Sequence, residues 1–541
     1  MLGKKGRGAG RYARYSGGAI LVLGLALCVC ASGPAPDAKT YPPPVPLVAS
    51  GLIGDHSFPG PVLPISPEEA RGASYLPSSN VLRLPDGRLR YLPPGAAEAV
   101  TVPPDDPGAA EAASASRAWL DEGTVPGGDA VERAISERAL LDLRLLTRPN
   151  GAALAGLHPR WRSVWPRDAS FVAVAFAATG HHDLSYQVLS FLAAAQEPAG
   201  AWEARYDAAG NPVLDGRPRQ LDAAGWFPWA TWYWFVTARP GALTNERAGE
   251  LWPATRAAAD AAAASLGADG LPPGGADYWE VETWRPNLGT AAPLRTGLRT
   301  AADLARRLGH ESDARHYAAA ARRLDAGIAR EFAPAGYQRT PYPRSGADAA
   351  VTFLAPPFAP PDARVEVALA EAAERLRAPN GGVLPGERWP QDPTAAWTPE
   401  TALFALSAAA AGDGEEADRW LGWLAAHSTS LGTFSEKVSG DGEPKAAAPL
   451  GWTEAIVLLA LAAKEEPLPT PPVPERVPVE MDERPLLPIV GTLLCAGVLA
   501  ALFAGRKVAT QPRWRPGPGS GRLLRAQAPF MTAAMARHDI G

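Results

Sequence analysis

The chain of 541 residues carries 52 Lys and Arg against 57 Asp and Glu, a net charge of −5, and 46% of it is hydrophobic. It is too long for one ordinary domain, too apolar to be disordered throughout, and lacks the basic surplus of a nucleic-acid binder. With 3 Cys and 8 His, neither a disulfide framework nor a Cys/His metal cluster is expected, whereas 57 Pro and 54 Gly predict substantial linkers.

At the amino end Lys4, Lys5, Arg7, Arg11 and Arg14 precede the apolar stretch Ala19–Ala31, which closes on the small-residue site Val29-Cys30-Ala31. A basic segment, a short apolar run and small residues make residues 1–31 a secretory signal or an uncleaved anchor. Cys28 and Cys30 also suggest a lipoprotein, but Leu27 and Val29 are poor neighbours for lipidation. Residues 32–127 read as a Pro-rich spacer followed by a small β or irregular region. Within it, Asn80–Tyr91 sets Pro85-Asp86-Gly87 between two alternating runs, the pattern of a hairpin.

From residue 128 to 464 the pattern turns helical. Ala130–Leu146 has apolar residues at three- and four-residue spacing. Ten further stretches follow: Ala169–Thr179, Leu184–Gln196, Leu221–Val236, Arg247–Leu266, Leu288–Leu308, Ser312–Phe332, Arg364–Leu376, Pro399–Ala411, Glu415–Ala426 and Trp452–Ala463. No strands alternate with them, which excludes a Rossmann or TIM fold and predicts an all-α domain of stacked helical hairpins.

Residues 465–485 (EEPLPTPPVPERVPVEMDERP) predict an extended polyproline stalk, about 60 Å long at roughly 3.1 Å per residue. Residues 486–505 begin with Leu486–Ala504, an uncharged segment close to the ~20 residues that cross a bilayer. Acidic residues precede it, and Arg506, Lys507, Arg513, Arg515, Arg522 and Arg525 follow. The positive-inside rule therefore puts the basic tail, 506–541, in the cytoplasm and the helical domain outside the cell.

Three loop clusters carry the chemistry. In Trp161–Asp168 (WRSVWPRD) two indoles precede a charged pair at a helix entrance, which suits a sugar: rings pack on its C–H face while Arg167 and Asp168 bind hydroxyls. A helix-capping Asp with a snorkelling Arg is the structural alternative. Asp277–Glu282 (DYWEVE) sets Glu280 beside an indole, an environment that raises a carboxyl pKa and suits a general acid; a solvated surface Glu is the alternative. Leu431–Val438 (LGTFSEKV) and Pro449–Ala455 (PLGWTEA) set Glu436 in a Gly-containing loop and Trp452 at a helix entrance, where Glu436 could instead be a cap.

Together these segments resemble family 15 glycoside hydrolases, the glucoamylase family, across roughly Ala130–Leu461. The resemblance implies an (α/α)6 barrel, and with the flanking segments the expected fold is all-α, with a small N-terminal β or irregular leader and a C-terminal transmembrane helix. It implies that Glu280 is the general acid and Glu436 the general base. Trp165, Arg167, Asp168, Trp279, Arg388 and Trp452 would be the substrate-binding residues. Arg388 enters through Gly386–Asp392 (GERWPQD), which is similar to the family's substrate loop; the following Pro393–Trp397 (PTAAW) departs from the usual Tyr/Gly-rich turn.

The expectation is an inverting, exo-acting α-glucoside hydrolase. It would release glucose from the non-reducing end of an oligo- or polysaccharide, as a membrane-anchored monomer with no metal and no cofactor. The alternatives are a non-catalytic carbohydrate-binding protein on a degenerate barrel, and a trehalase-type or phosphorolytic enzyme of similar shape.

Overall fold

The computed structural model describes residues 45–55 and 60–474. The expected signal, membrane span and basic tail lie outside the described residues, and among those described no helix is long and apolar enough to cross a membrane.

The leader is more ordered than its composition suggested. Strands β1 (Gly51–Gly54) and β2 (Val62–Ile65) pair antiparallel, and β3 (Ser74–Tyr75), β4 (Leu82–Arg83), β5 (Leu89–Tyr91) and β6 (Val100–Val102) form a four-stranded meander. The expected hairpin is β4–β5, with Leu82 opposite Arg90 and Gly87 in the left-handed region at φ 85°. Helix α1 (Pro107–Leu120) was not foreseen. Its signals were an Asp106 cap accepting from Ala109 N–H, Pro at the first turn and an Ala-rich body, all favourable to a helix. Leu52, Trp119 and Leu120 join the main core, so the β region is packed against the helical domain; the Pro-rich spacer expected ahead of it lies almost wholly outside the described residues.

The helices that follow are α2 (Ala130–Leu146), α3 (Pro166–Ala178), α4 (His182–Ala195), α5 (Ala223–Thr237), α6 (Ala242–Ser265), α7 (Leu288–Arg307), α8 (Glu311–Glu331), α9 (Ala363–Arg375), α10 (Thr398–Ala410), α11 (Gly414–Ala426) and α12 (Gly451–Glu465). An inner ring runs α3, α5, α7, a 3-10 turn at Ala349–Leu354, α10 and α12, each packed on the next, and α12 closes back on α3. Each inner element is backed by one outer helix: α4, α6, α8, α9, α11 and α2 respectively. This is the (α/α)6 barrel, with its fourth inner helix reduced to a short 3-10 turn.

Inner and outer helices differ as burial demands. Helix α5 (AAGWFPWATWYWFVT) is apolar around most of its circumference and buried on almost every face, whereas α8 keeps one apolar stripe for α7 and exposes its charges. Gly225 and Gly297 let α5 and α7 cross closely: a Cβ on Gly297 would stand 2.5 Å from Gly225 Cα. The centre is filled by Phe171, Trp226, Trp229, Phe353 and Phe358, in tilted and edge-to-face contacts with centroids 4.9–5.9 Å apart.

Every inner element begins at the same end of the barrel, and each start carries an acidic group. These are Asp168 in α3, Asp222 before α5, Asp277 ahead of α7, Asp348 capping the 3-10 turn, Glu400 in α10 and Glu454 in α12. Helix N-termini carry partial positive charge, so this end favours carboxylates and is where the loops of interest gather. A short sheet of β7 (Ala396–Trp397), β8 (Lys437–Val438) and β9 (Pro444–Lys445) lies here, with Trp397 opposite Lys437. Beyond α12, residues 466–474 do not leave the barrel as a stalk would: Leu468 packs on the core, and Pro471 and Pro474 are buried.

Candidate active site

The segment ahead of α3 organises this end. Trp165 precedes Pro166 at the first helical position, so the chain enters α3 extended and then turns sharply. Trp161 Nε1 donates to Glu436 Oε1 at 3.1 Å, and Trp165 Nε1 donates to Glu280 Oε1 at 2.8 Å. Two indoles four positions apart thus hold two glutamates that lie far apart in the chain. Immediately after them Arg167 and Asp168, both buried, occupy the first turn of α3.

Glu280 lies in the loop between α6 and α7, with φ 56°, a left-handed conformation that costs a side-chain-bearing residue about 1–3 kcal/mol. Its Oε2 accepts from Arg217 Nε at 2.7 Å, and its Oε1 also from Gln220 Nε2 at 3.4 Å. The sequence reading put Glu280 against the neighbouring indole of Trp279. Instead it meets the N–H edge of Trp165 and a guanidinium, and its side chain keeps 28% of its exposure. Arg217 is held in turn by Asp215, which also pairs with Arg205.

Glu436 enters β8 and caps no helix. Its backbone is tied on both sides, N–H to Ala447 O at 2.8 Å and C=O to Thr398 N–H at 3.1 Å. Lys437 Nζ stands 3.6 Å from Oε2, and the side chain is only 16% exposed. Glu454, buried in α12, accepts the Phe434 N–H at 2.9 Å and so anchors the same loop; burial pushes its carboxyl well above the usual range. Val48 N–H donates to Ala446 O, Val45 O accepts from Ala446 N–H, and the hydroxyls of Thr429 and Thr433 both donate to Ser50 O, at 2.7 and 3.1 Å.

A row of rings joins the two glutamate loops. Trp279 meets Trp389 edge-on at 4.9 Å, Trp389 meets Trp397 at 5.1 Å, and Lys437 Nζ lies 4.1 Å over Trp397. Gly386 permits the row, because a Cβ there would stand 2.3 Å from Trp279. Arg339 lies 3.6 Å over Trp279 and is fixed by Asp277 and Asp348. Trp452 lies below, with Arg167 4.8 Å over its ring and Phe171 and Tyr278 against it. The indole nitrogens of Trp279, Trp389 and Trp452 are buried without a hydrogen-bond partner.

Arg167 Nη1 bonds Gln220 at 2.6 Å and Asp222 at 3.1 Å, and its Nε is 3.3 Å from Asp168. Burial raises the Asp168 carboxyl to about 7 against the pull of Arg167, with Glu280, Asp222 and Glu436 adding to the rise. Glu400 is raised to about 8, again by burial, with Glu436 adding to it. Asp168 therefore senses both loop glutamates, and among the described residues no side chain donates a well-formed hydrogen bond to it.

Of the expected site residues, Glu280, Glu436, Trp165, Arg167, Asp168, Trp279 and Trp452 gather at this end. Arg388 is exposed in the same loop, between Glu387, which pairs with Arg375, and Trp389, which joins the ring row. Arg339 is the cation that stacks on Trp279. Sequence reading missed Trp161 as a Glu436 partner, and missed Arg217, Gln220, Asp222, Arg339 and Glu400. Only Trp161 lay inside a cluster already singled out; Asp222 and Glu400 fall at the starts of expected helices, and Arg217, Gln220 and Arg339 sit in loops with no local signature. Among the described residues no group of His, Cys, Asp and Glu could hold a metal ion.

No family model matches the chain. A stretch of 99 residues is 32% identical to an uncharacterized glycosyl hydrolase of Methanocaldococcus jannaschii, covering 18% of this chain and 16% of that relative. A solved wild-type glycosidase superposes with a TM-score of 0.53 at 20% identity, over 63% of this chain and 99% of the other. A bacterial glucoamylase solved in complex with acarbose gives 0.54 at 18% identity, over 68% of this chain and 63% of its own length. The glucoamylase of Saccharomycopsis fibuligera gives 0.51 at 12% identity, over 63% of this chain and 96% of that one. At these identities the likeness is one of fold: this is the barrel of glycosidases and glucoamylases.

Proposed function

We propose that the protein is a glycoside hydrolase that cleaves α-glucosides from the non-reducing end with inversion. One observation carries the reading: a single short segment, Trp161–Asp168, supplies an N–H to each of the two glutamates and follows them with a buried Arg-Asp pair. Two carboxyl groups facing one sugar from opposite sides are what inverting hydrolysis requires, at about 6.5–9.5 Å to admit a water between them.

In this reading protonated Glu280 donates to the glycosidic oxygen as the bond to the anomeric carbon breaks. Ionised Glu436 takes a proton from the water that attacks the opposite face. Arg167 and Asp168 bind hydroxyls of the terminal sugar, and the buried indole N–H groups of Trp279 and Trp452 supply further donors. Both oxygens of Glu280 already accept hydrogen bonds, so one donor must withdraw as substrate enters. Arg217 is the one that withdraws in this reading, toward its second partner Asp215, because it comes from an exposed turn in which Leu214 is 79% exposed.

Fully exposed Trp284, four residues beyond Glu280, favours a chain of sugars over a disaccharide, since a bare indole is a stacking surface for the next units. Membrane display by residues 486–505 is part of the proposal; it rests on hydropathy and flanking charge alone. The test is proton NMR of the first product formed from maltose, isomaltose, trehalose and soluble α-glucan, with and without phosphate. Release of β-glucose supports the reading. Retained α-glucose, phosphate-dependent turnover, or sugar binding without turnover each replaces it.

A further inference from the structure

A cavity of about 300 Å³ lies on the flank of the barrel, between α7, α8 and the start of α9, and shares no residue with the glutamate site. That volume is at the lower end of what small ligands occupy. Its polar wall is unusual. Arg295 and Arg299, one turn apart on α7, are 7% and 6% exposed, and a single carboxylate serves both: Asp325 Oδ1 accepts from Arg299 Nη2 at 2.7 Å and stands 3.9 Å from Arg295 Nε.

Arg295 Nε and Arg299 Nε and Nη1 are buried with no hydrogen-bond partner. Arg364, paired with Asp362, adds a third guanidinium at the edge. Tyr337, at φ 53° and 4% exposed, also lines the cavity. Apolar atoms of Ile328, Leu354, Pro360, Pro361 and Val365 form much of the rest, and Val473, from the segment after α12, lines the cavity too.

The charge does not balance. Three guanidinium groups face two carboxylates, and the two buried ones repel each other; burial and the charge of Arg299 bring Arg295 down to about 10, still cationic at neutral pH. Buried arginines without full pairing are costly, and their rigid forks match oxyanions. Donors converging from two helices and a tyrosine suit a tetrahedral group better than a planar carboxylate, which one fork would satisfy.

We propose that this flank cavity is a phosphate-binding site, in which Arg295 and Arg299 hold the phosphate, Tyr337 and Arg364 close its open side, and the proline wall accommodates a small organic body when one is attached. The phosphate could be free or the head of a small organic phosphate; the chemistry at the arginines is the same.

The experiment is isothermal titration of the full chain with inorganic phosphate and with glycerol phosphate, against sodium chloride at matched ionic strength. Wild type should bind phosphate saturably, Arg299→Met should weaken it at least tenfold, and Tyr337→Phe, which removes only a hydroxyl, about threefold. Glu280→Gln should bind as wild type does, which separates this site from the glutamates and makes the result independent of the proposed hydrolysis. Tighter binding of glycerol phosphate identifies an organic phosphate as the occupant; equal binding identifies the free ion. The proposal fails if chloride gives the same response, if Tyr337→Phe and Arg299→Met both bind like wild type, or if Glu280→Gln abolishes the heat. Should Arg299→Met not fold, Arg364→Gln together with Tyr337→Phe decides the matter.

Discussion

The loops that carry Glu280 and Glu436 hold the same side chain in opposite ways. Glu436 is braced by its backbone, paired on either side with Ala447 and Thr398, and its carboxylate receives one indole N–H and a nearby ammonium. Glu280 sits on a left-handed residue with one backbone bond, its N–H to Asp277 O at 2.8 Å, and is positioned further through its side chain, by Trp165, Gln220 and Arg217. One group is fixed and recessed, and the other hangs from side chains that can let go. Environment divides acid from base between two like residues, and in the proposed mechanism the adaptable one is the group that would change hydrogen-bond partners in turnover.

Mutations can break that contrast. The largest effect is expected from Glu280→Gln and Glu436→Gln, each lowering kcat by about 10³–10⁴ with sugar binding retained; steady-state kinetics beside glucose titration checks both. Next come the indole donors. Trp165→Phe removes the N–H to Glu280 and Trp161→Phe the one to Glu436, each costing about 10–100-fold in kcat for a charge-assisted bond. If Glu436 is held by its backbone as described, Trp161→Phe should be the milder of the two.

The third effect is on stability against pH. Asp168 and Glu400 keep their protons in the folded chain up to about 7 and 8, whereas the unfolded chain loses them near 4. The folded state therefore binds more protons between these limits, and stability falls as pH rises from about 4 toward 8. Glu400→Gln should flatten that decline in melting curves recorded from pH 5 to 9. The smallest effect is Trp284→Ala, raising KM for a long glucan about 3–10-fold while leaving maltose unchanged, as expected for one exposed stacking surface.

The helices were legible because the pattern of their apolar residues is local. Ala130–Leu146 stands where periodicity put it, and the other ten begin and end within a few residues of expectation. Helix α1 was passed over because Ala and Pro read as linker, although its cap and its Ala content argued otherwise. The 3-10 turn at Ala349–Leu354, too short for any period, left no signal. In the site, motif order found both glutamates and the Arg-Asp pair, but not their partners. Arg217 reaches Glu280 across a loop, and Arg339 takes a place over Trp279 that no spacing announces. The role of Trp389 was missed for a related reason: a motif names a loop, and the direction of each side chain within it depends on packing, which sets Trp389 against Trp279.

The carbonyl of Ser50 accepts two threonine hydroxyls from the loop that leads to Glu436, and the residues before it clasp Ala446 on the far side of that glutamate. Residues 45–50 are therefore a buckle on the loop that carries Glu436. Trimming past residue 50 should take the Ser50 carbonyl from the hydroxyls of Thr429 and Thr433 and slacken a carboxylate nearly four hundred positions downstream.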